Sequence, residues 1–282
     1  MLPVALQPYK QREALMWWPE ARLPCVDAPP DSRVGGTRTP AWMLARLLRG
    51  MERRGYGPRR MLPGGNLFQF LKREVLVGEH EVLHRTLKEA LVGTCDSVLD
   101  IGCGSRSPLH SFSKLIPHTV GIDGHATSIE RSRAAGIHRE YHQMELMEAG
   151  QRFGPKSFDA VVALDVIEHF EKPDGFRLLE MMESMARKRV IIFTPNGFLP
   201  QDEWDSNVHQ VHRSGWEVYD FELRGYRVTG MSGWKPLRGD YALPTIRPFR
   251  LGSRLSILTE PFATRFPQYA FQLLAIRDME AS

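Results

Sequence analysis

From Ser97 onward the chain alternates short apolar runs with longer amphipathic ones. Ser97–Ile101 (SVLDI), His118–Asp123 (HTVGID), Phe158–Asp165 (FDAVVALD) and Arg189–Pro195 (RVIIFTP) have strand length. The last two are almost unbroken apolar runs, which suit strands buried on both faces of a parallel sheet. Between them, Pro173–Ala186 sets Phe176, Leu179, Met182 and Met185 at helical spacing. Ser214 and Glu217 form a capping-box pattern that predicts a helix over Gly215–Arg224, stopped by Gly225. Tyr226–Met231 and Ala270–Arg277 read as late strands, and Ser232–Leu251, rich in Gly, Pro and Arg, as a long loop. Strands alternating with helices predict a doubly wound α/β domain.

The pattern before Ser97 is different. Residues 1–40 carry several prolines and little periodicity, and read as loop. Ala41–Met51 predicts a short helix. Asn66–Leu91 predicts a longer one, with Phe68, Leu71, Val75, Val82, Leu83 and Leu87 near helical spacing. The chain therefore divides into an N-terminal helical extension, residues 1–95, and an α/β domain, residues 96–282. The extension holds Arg46, Arg49, Arg53, Arg54, Arg59 and Arg60. Such a run is most simply a solvated face; an anionic substrate or a membrane surface is the alternative. Trp17 and Trp18 read as packing anchors.

Composition narrows the class. With 42% apolar and 25% charged residues over 282 positions, the chain is an ordinary globular protein and excludes disordered, collagen-like and disulfide-scaffold classes. Its three cysteines, Cys25, Cys95 and Cys103, are odd in number and lack zinc-ligand spacing, so free thiols in a reducing, cytoplasmic compartment are expected. No apolar run approaches the roughly 18–20 residues of a membrane span, and no signal-peptide pattern opens the chain. A formal charge of +4 mildly favours an acidic partner.

The most informative segment is VLDIGCGSRSPL, residues 98–109. A strand ends near Asp100, Gly102 and Gly104 permit a tight turn with bare backbone, and Ser107 and Pro108 have the chemistry of a helix start. Asp123 ends the next strand 23 positions after Asp100, where nucleotide-binding α/β folds place a carboxylate for ribose hydroxyls. A dinucleotide fingerprint needs a third glycine at position 107, which is serine. An acidic-first loop suits a ligand with a cationic ammonium and no pyrophosphate. A nicotinamide-linked oxidoreductase is thus a distant alternative.

The fourth apolar run leads into Asp165, Glu168 and His169. In a helical turn these fall at i, i+3 and i+4, on one face. His169 is the candidate general base, with Asp165 beside it. A further pair, His209 and His212, follows the fifth run; His209 reads as a surface loop residue. Carboxylates with histidines also make divalent metal sites, which orient and acidify a hydroxyl.

Together these segments resemble class I S-adenosylmethionine-dependent methyltransferases, and FDAVVALDVIEHF resembles the fourth-strand motif of the group that includes ubiquinone-type O-methyltransferases. The resemblance runs from Ser97 to near the C-terminus. It implies a mostly parallel, seven-stranded Rossmann-like sheet and S-adenosylmethionine as cofactor. It puts Asp100, Gly102 and Gly104 at the cofactor's amino acid end, Asp123 at its ribose and Asp165 near its methyl. The residue that meets the adenine amine in the family is commonly aspartate; Gln143 or Met144 is nearest here, and Arg106 replaces the usual third glycine.

The order DVIEHF, FTPN, HRSGW is also similar to small-RNA 2′-O-methyltransferases and metal-using ubiquinone O-methyltransferases. That similarity implies a divalent metal such as Mg on Asp165, Glu168, His169 and His212, with Asp in place of Glu at the first. The resulting expectation is O-methylation of a hydroxyl on a small molecule, lipid or glycan. Alternatives are an RNA 2′-O-methyltransferase using a divalent metal, with nucleic acid less favoured, and a cofactor-binding regulatory protein without transfer activity. Oligomeric state is left open.

Overall fold

In the computed structural model the described residues are 79–201, 210–239 and 243–279. The helix expected over Ala41–Met51, the Arg46–Arg60 cluster, Trp17, Trp18, Cys25, His209 and the start of the Asn66–Leu91 helix lie outside them. Helix α1 (Glu79–Leu91) precedes β1 (Ser97–Ile101), β2 (His118–Asp123), α2 (Ala126–Ala135), β3 (Glu140–Gln143), α3 (Ala149–Phe153), β4 (Phe158–Leu164), α4 (Lys172–Met185) and β5 (Ala186–Pro195). Then come α5 (Val218–Glu222), β6 (Arg227–Trp234), α6 (Phe249–Leu258), α7 (Glu260–Arg265) and β7 (Ala270–Asp278).

The seven strands form one sheet in the order β3-β2-β1-β4-β5-β7-β6. The first five are parallel; β7 runs antiparallel to both its neighbours. This is the expected doubly wound, mostly parallel Rossmann-like sheet. The period of two along each strand divides its residues between two cores. Val161 and Ala163 of β4, and Val190 and Ile192 of β5, face one core with Leu178, Leu179, Met182 and Trp216. Ala160, Val162 and Leu164 of β4, and Ile191 and Phe193 of β5, face the other with Leu83, Leu87 and Leu91 of α1. Every residue of β1 and β4 is buried, which is why their sequences read as continuous apolar runs. Leu83, Leu87 and Leu91 lie at i, i+4 and i+8, so α1 is bound into the sheet's own core by one apolar stripe.

Three local expectations are corrected. After the glycine loop come two 3-10 turns, Pro108–Ser111 and Ser113–Leu115, where a helix was expected. Ser107 still caps the first, accepting a hydrogen bond from the Leu109 N–H at 3.1 Å. The helix expected from Gly215 starts at Val218, and its capping box is Glu217 with Asp220. Ser214 instead accepts from the buried Trp216 indole at 2.9 Å. The stretch expected as loop over Ser232–Leu251 opens with the end of β6 and closes with the start of α6. Among the described residues no helix is long and apolar enough to cross a membrane.

Candidate functional site

Parallel strands place their carboxyl ends on one edge, and the order reverses at β1, which has β2 on one side and β4 on the other. Open α/β sheets bind ligands in that crevice. Both clusters expected from sequence lie on this edge.

The first is the glycine loop after β1. Gly102 has φ +66°, and a Cβ there would stand 2.7 Å from Val166 Cγ2, so only glycine fits. Gly104 has φ +56°, and no atom lies within 4 Å of where its Cβ would be; its bare backbone borders open space that a ligand can approach. Asp123 braces this loop. Its Oδ2 accepts from the Gly104 N–H at 2.9 Å and its Oδ1 from the His125 N–H at 2.8 Å. Each carboxylate oxygen keeps a second lone pair for a hydroxyl. Gln143 pairs with Asp123 in the sheet register and is exposed at the end of β3, its amide 3.5 Å from the Gly124 carbonyl. Met144 packs against the core, and Arg106 is exposed. Asp100 is only 2% exposed. Its Oδ2 lies 3.1 Å from Nε2 of the buried His138.

The second cluster follows β4. Asp165 adopts φ +55°, a conformation that costs a non-glycine residue of order 1–3 kcal/mol and recurs at functional sites. Its N–H donates to the Phe193 carbonyl, and its Oδ1 is 3.4 Å from the Gln272 amide. Crowding by protein raises its carboxyl above the usual aspartate value and the Gln272 amide pulls it back. The helical turn expected to align Asp165, Glu168 and His169 is a single 3-10 turn, Ile167–His169, with Asp165 outside it.

Glu168, His169 and His212 do come together, with one donor atom from each within 4.8 Å of the others; Asp165 is not in that group. Glu168 is 2% exposed. Its Oε2 accepts from the Thr194 hydroxyl at 2.9 Å, and its Oε1 has no hydrogen-bond partner among the described residues. Burial first, then the Asp165 charge, push its carboxyl well above the usual glutamate value. The histidines are oriented by carbonyls, His169 Nδ1 by Val211 O at 3.2 Å and His212 Nδ1 by Leu199 O at 2.6 Å. A carbonyl only accepts, so both Nδ1 atoms carry a proton and the neutral rings hold their lone pairs on Nε2. Burial keeps His212 below the usual imidazole value, against the pull of that carbonyl.

His212 reaches Glu168 because the Glu168 carbonyl accepts from the N–H groups of Arg213 and Ser214, at 2.8 and 3.1 Å. Trp216 then fixes the loop. It is fully buried between Phe176 and Phe221, Lys172 Nζ lies 3.9 Å from its ring centroid, and only a glycine at position 175 leaves room for it. Sequence reasoning missed Thr194, His138 and Trp216; the only available signal was a Trp two residues after an isolated serine in a loop. A separate surface hollow of about 560 Å³, lined by residues that include Tyr219, Val228, Phe266 and Gln268, shares no residue with either cluster.

Residues 99–193, from β1 to β5, match the methyltransferase domain family. The match spans about a third of the chain and marks a methyltransferase domain within it. Among curated proteins nothing matches. Among solved structures, a SAM-dependent methyltransferase from Archaeoglobus fulgidus is 17% identical, covering 76% of this chain and 100% of its own, with TM-score 0.47. The methyltransferase domain of bacterial CtHen1 is 17% identical over 71% of this chain and 97% of its own, TM-score 0.44. Magnesium protoporphyrin IX methyltransferase (ChlM) from Synechocystis PCC 6803 with bound SAH is 14% identical over 84% and 100%, TM-score 0.44. The match within residues 99–193 contains the glycine loop, Asp123, Gln143 and Glu168-His169, while His212 follows it.

Proposed function

We propose that this chain is a class I S-adenosylmethionine-dependent methyltransferase that acts on a hydroxyl oxygen with the help of a divalent cation held by Glu168, His169 and His212. The observation that carries the reading is Glu168 Oε1. A buried carboxylate oxygen without a partner costs of order 1–3 kcal/mol or more, and Glu168 Oε1, which has none among the described residues, shares a cluster with two imidazoles whose tautomers leave a lone pair on Nε2. That donor set of one carboxylate and two neutral imidazoles fits a divalent metal. The cation supplies Lewis acidity that makes a bound hydroxyl easier to ionise. The site fits the cofactor too, since Gly104 offers bare backbone beside open space.

In this reading the chain's own residues do the following. Gly102 and Gly104 let the loop lie close to the amino acid end of the cofactor, with Asp100 beneath. Asp123 holds the loop amides and accepts from the ribose hydroxyls, and Gln143 stands at the adenine end. The sulfonium of S-adenosylmethionine supplies the methyl. Asp165, in its left-handed conformation, marks the boundary between cofactor and acceptor, as a polar neighbour and not a fourth ligand. Without a cation, His169 Nε2 has the lone pair needed to take the hydroxyl proton. The acceptor is taken to be a small molecule, lipid or glycan, and residues 1–95 an extension that helps bind it. The buried free thiols of Cys95 and Cys103 support a cytoplasmic setting.

The test is transfer of labelled methyl into fractionated cell extract, with and without chelator, alongside metal binding by the purified protein. Label in one fraction that vanishes with chelator and returns with Mg or Mn supports the reading, and names the acceptor class. Label that persists in chelator returns His169 to the role of base. Cofactor binding without label in any fraction points to the regulatory alternative.

A further inference from the structure

His138 stands beneath the glycine loop, where neither the sequence motifs nor the proposed chemistry gives it a task. Its side chain is wholly buried, and its Nε2 lies 3.1 Å from Asp100 Oδ2. The approach is close but poorly aligned, and among the described atoms neither ring nitrogen nor Asp100 Oδ2 has a hydrogen-bond partner. Packing alone would favour an apolar side chain, because an imidazole buried without good partners costs of order 1–3 kcal/mol.

The surroundings are shaped to hold it. The His138 N–H donates to the Tyr141 hydroxyl at 2.7 Å, and that hydroxyl donates to the Ser132 carbonyl at 2.8 Å. The Tyr141 ring meets the imidazole edge-on, 5.6 Å between centroids. On the far side lies Gly121, in the middle of a buried strand where glycine is ordinarily unfavourable. A Cβ at 121 would stand 2.6 Å from His138 Cδ2 and 3.0 Å from the Sγ of Cys103, which sits between the two loop glycines. Gly121 has a negative φ and so meets no backbone demand; the glycine makes room for imidazole and loop together.

We infer that His138 is a positioning residue that fixes the Asp100 carboxylate, and through it the seat of the cofactor's amino acid end. Rotating the imidazole by a small angle would convert the 3.1 Å approach into an Nε2–H donation to Oδ2. The inference rests on the reading above that Asp100 serves the cofactor. It assigns to His138 an effect on cofactor affinity and none on the acceptor.

The test is calorimetric affinity for S-adenosylhomocysteine in H138Q and H138M, with D100N and the D100N/H138M double variant. Gln keeps a donor near the place of Nε2, and Met keeps length without one. The expected result is a loss of about tenfold for H138M, recovery to within about threefold for H138Q, and no further loss when H138M is added to D100N. The acceptor KM stays unchanged throughout. Equal affinities of H138Q and H138M, with D100N weakened, would show that His138 only packs and overturn the inference. Unchanged affinity in D100N would overturn it by a different route, by removing Asp100 from the cofactor site. Should H138M not fold, H138N, polar but too short to reach Oδ2, replaces it with the same expectations.

Discussion

The two clusters on the carboxyl edge of the sheet are built in opposite ways. Around the glycine loop, both oxygens of Asp123 are met by backbone amides from residues close by in sequence, Gly104 and His125. Around Glu168, the partners come from three segments, and one carboxylate oxygen is met by nothing among the described residues. Asp123 and the two amides it accepts from form a finished brace that a ligand lies against. The trio is held from outside, by Thr194, Val211 and Leu199, so that its donors turn toward one another. A fold that spends stability to gather acceptors in one place is using them for something that is not part of the chain. The two halves therefore have separable tasks, and substitutions should separate them.

The largest separation is expected from E168Q. The amide fills nearly the same volume but is a poor metal ligand and carries no charge. Methyl transfer should fall by about 10²–10⁴-fold, and affinity for S-adenosylhomocysteine should change by less than about twofold. Stability should hold or rise, because the variant removes a buried carboxylate that burial and the Asp165 charge both disfavour. Activity and melting temperature moving in opposite directions is the signature sought. Retained transfer in E168Q, or a matching loss of cofactor affinity, would merge the two halves and break the comparison.

The same contrast explains what the sequence made legible. Gly102, Gly104 and Asp123 were readable because their interactions are local: the spacing of a strand, a turn and the next strand end sets their geometry. The sheet was readable because β4 and the later part of β5, from Val190, are buried on both faces and so are largely apolar. Glu168, His169 and His212 were legible as residue types, but their meeting was not, since it depends on carbonyls that accept from amides and rings 13 to 46 residues away in the chain. Asp165 was misplaced on a helical face because periodicity assumes a regular helix, while its backbone turns left-handed before a single 3-10 turn. The Ser214 capping box failed for the same reason. Its hydroxyl was already committed to Trp216, a contact no local pattern encodes.

A smaller effect should come from D123A, acting on the other half. Gly104 and His125 lose their acceptor, and the ribose loses its own. Cofactor affinity should weaken by about 1–3 kcal/mol, measured by calorimetry, while binding of Mn or Mg to the trio stays unchanged. A D123A protein with full cofactor affinity would mean that the carboxylate only braces the loop, and that the ribose is held elsewhere. A fall in metal affinity of the same size would show that the loop supports the trio, and the halves would not be independent.

The smallest effect provides a control on what pairing does to a carboxylate in this sheet. Asp159 lies at the amino end of β4, as buried as Glu168, at 4% exposed against 2%. Burial alone would raise it, but the Asp96 N–H at 2.8 Å, Arg187 at 2.8 Å and Lys188 at 3.0 Å outweigh burial and hold its carboxyl down at about 2. The two acids are thus shifted in opposite directions: three donors outweigh burial at Asp159, whereas burial and then the Asp165 charge dominate at Glu168. The signs follow by linkage. Asp159, depressed in the folded state, contributes stability that is present above its unfolded value of about 4 and is lost as pH falls toward about 2. Glu168, raised in the folded state, favours folding at acid pH, and that contribution is lost as pH rises through its folded value. D159N should cost about 1–2 kcal/mol at neutral pH, leave transfer and cofactor affinity intact, and converge with the parent protein as pH falls from about 5 to about 3 in thermal melts. A gap that stays constant across that range would mean that the Asp96 amide and the geometry of the strand end, not the charge pairing with Arg187 and Lys188, hold this corner.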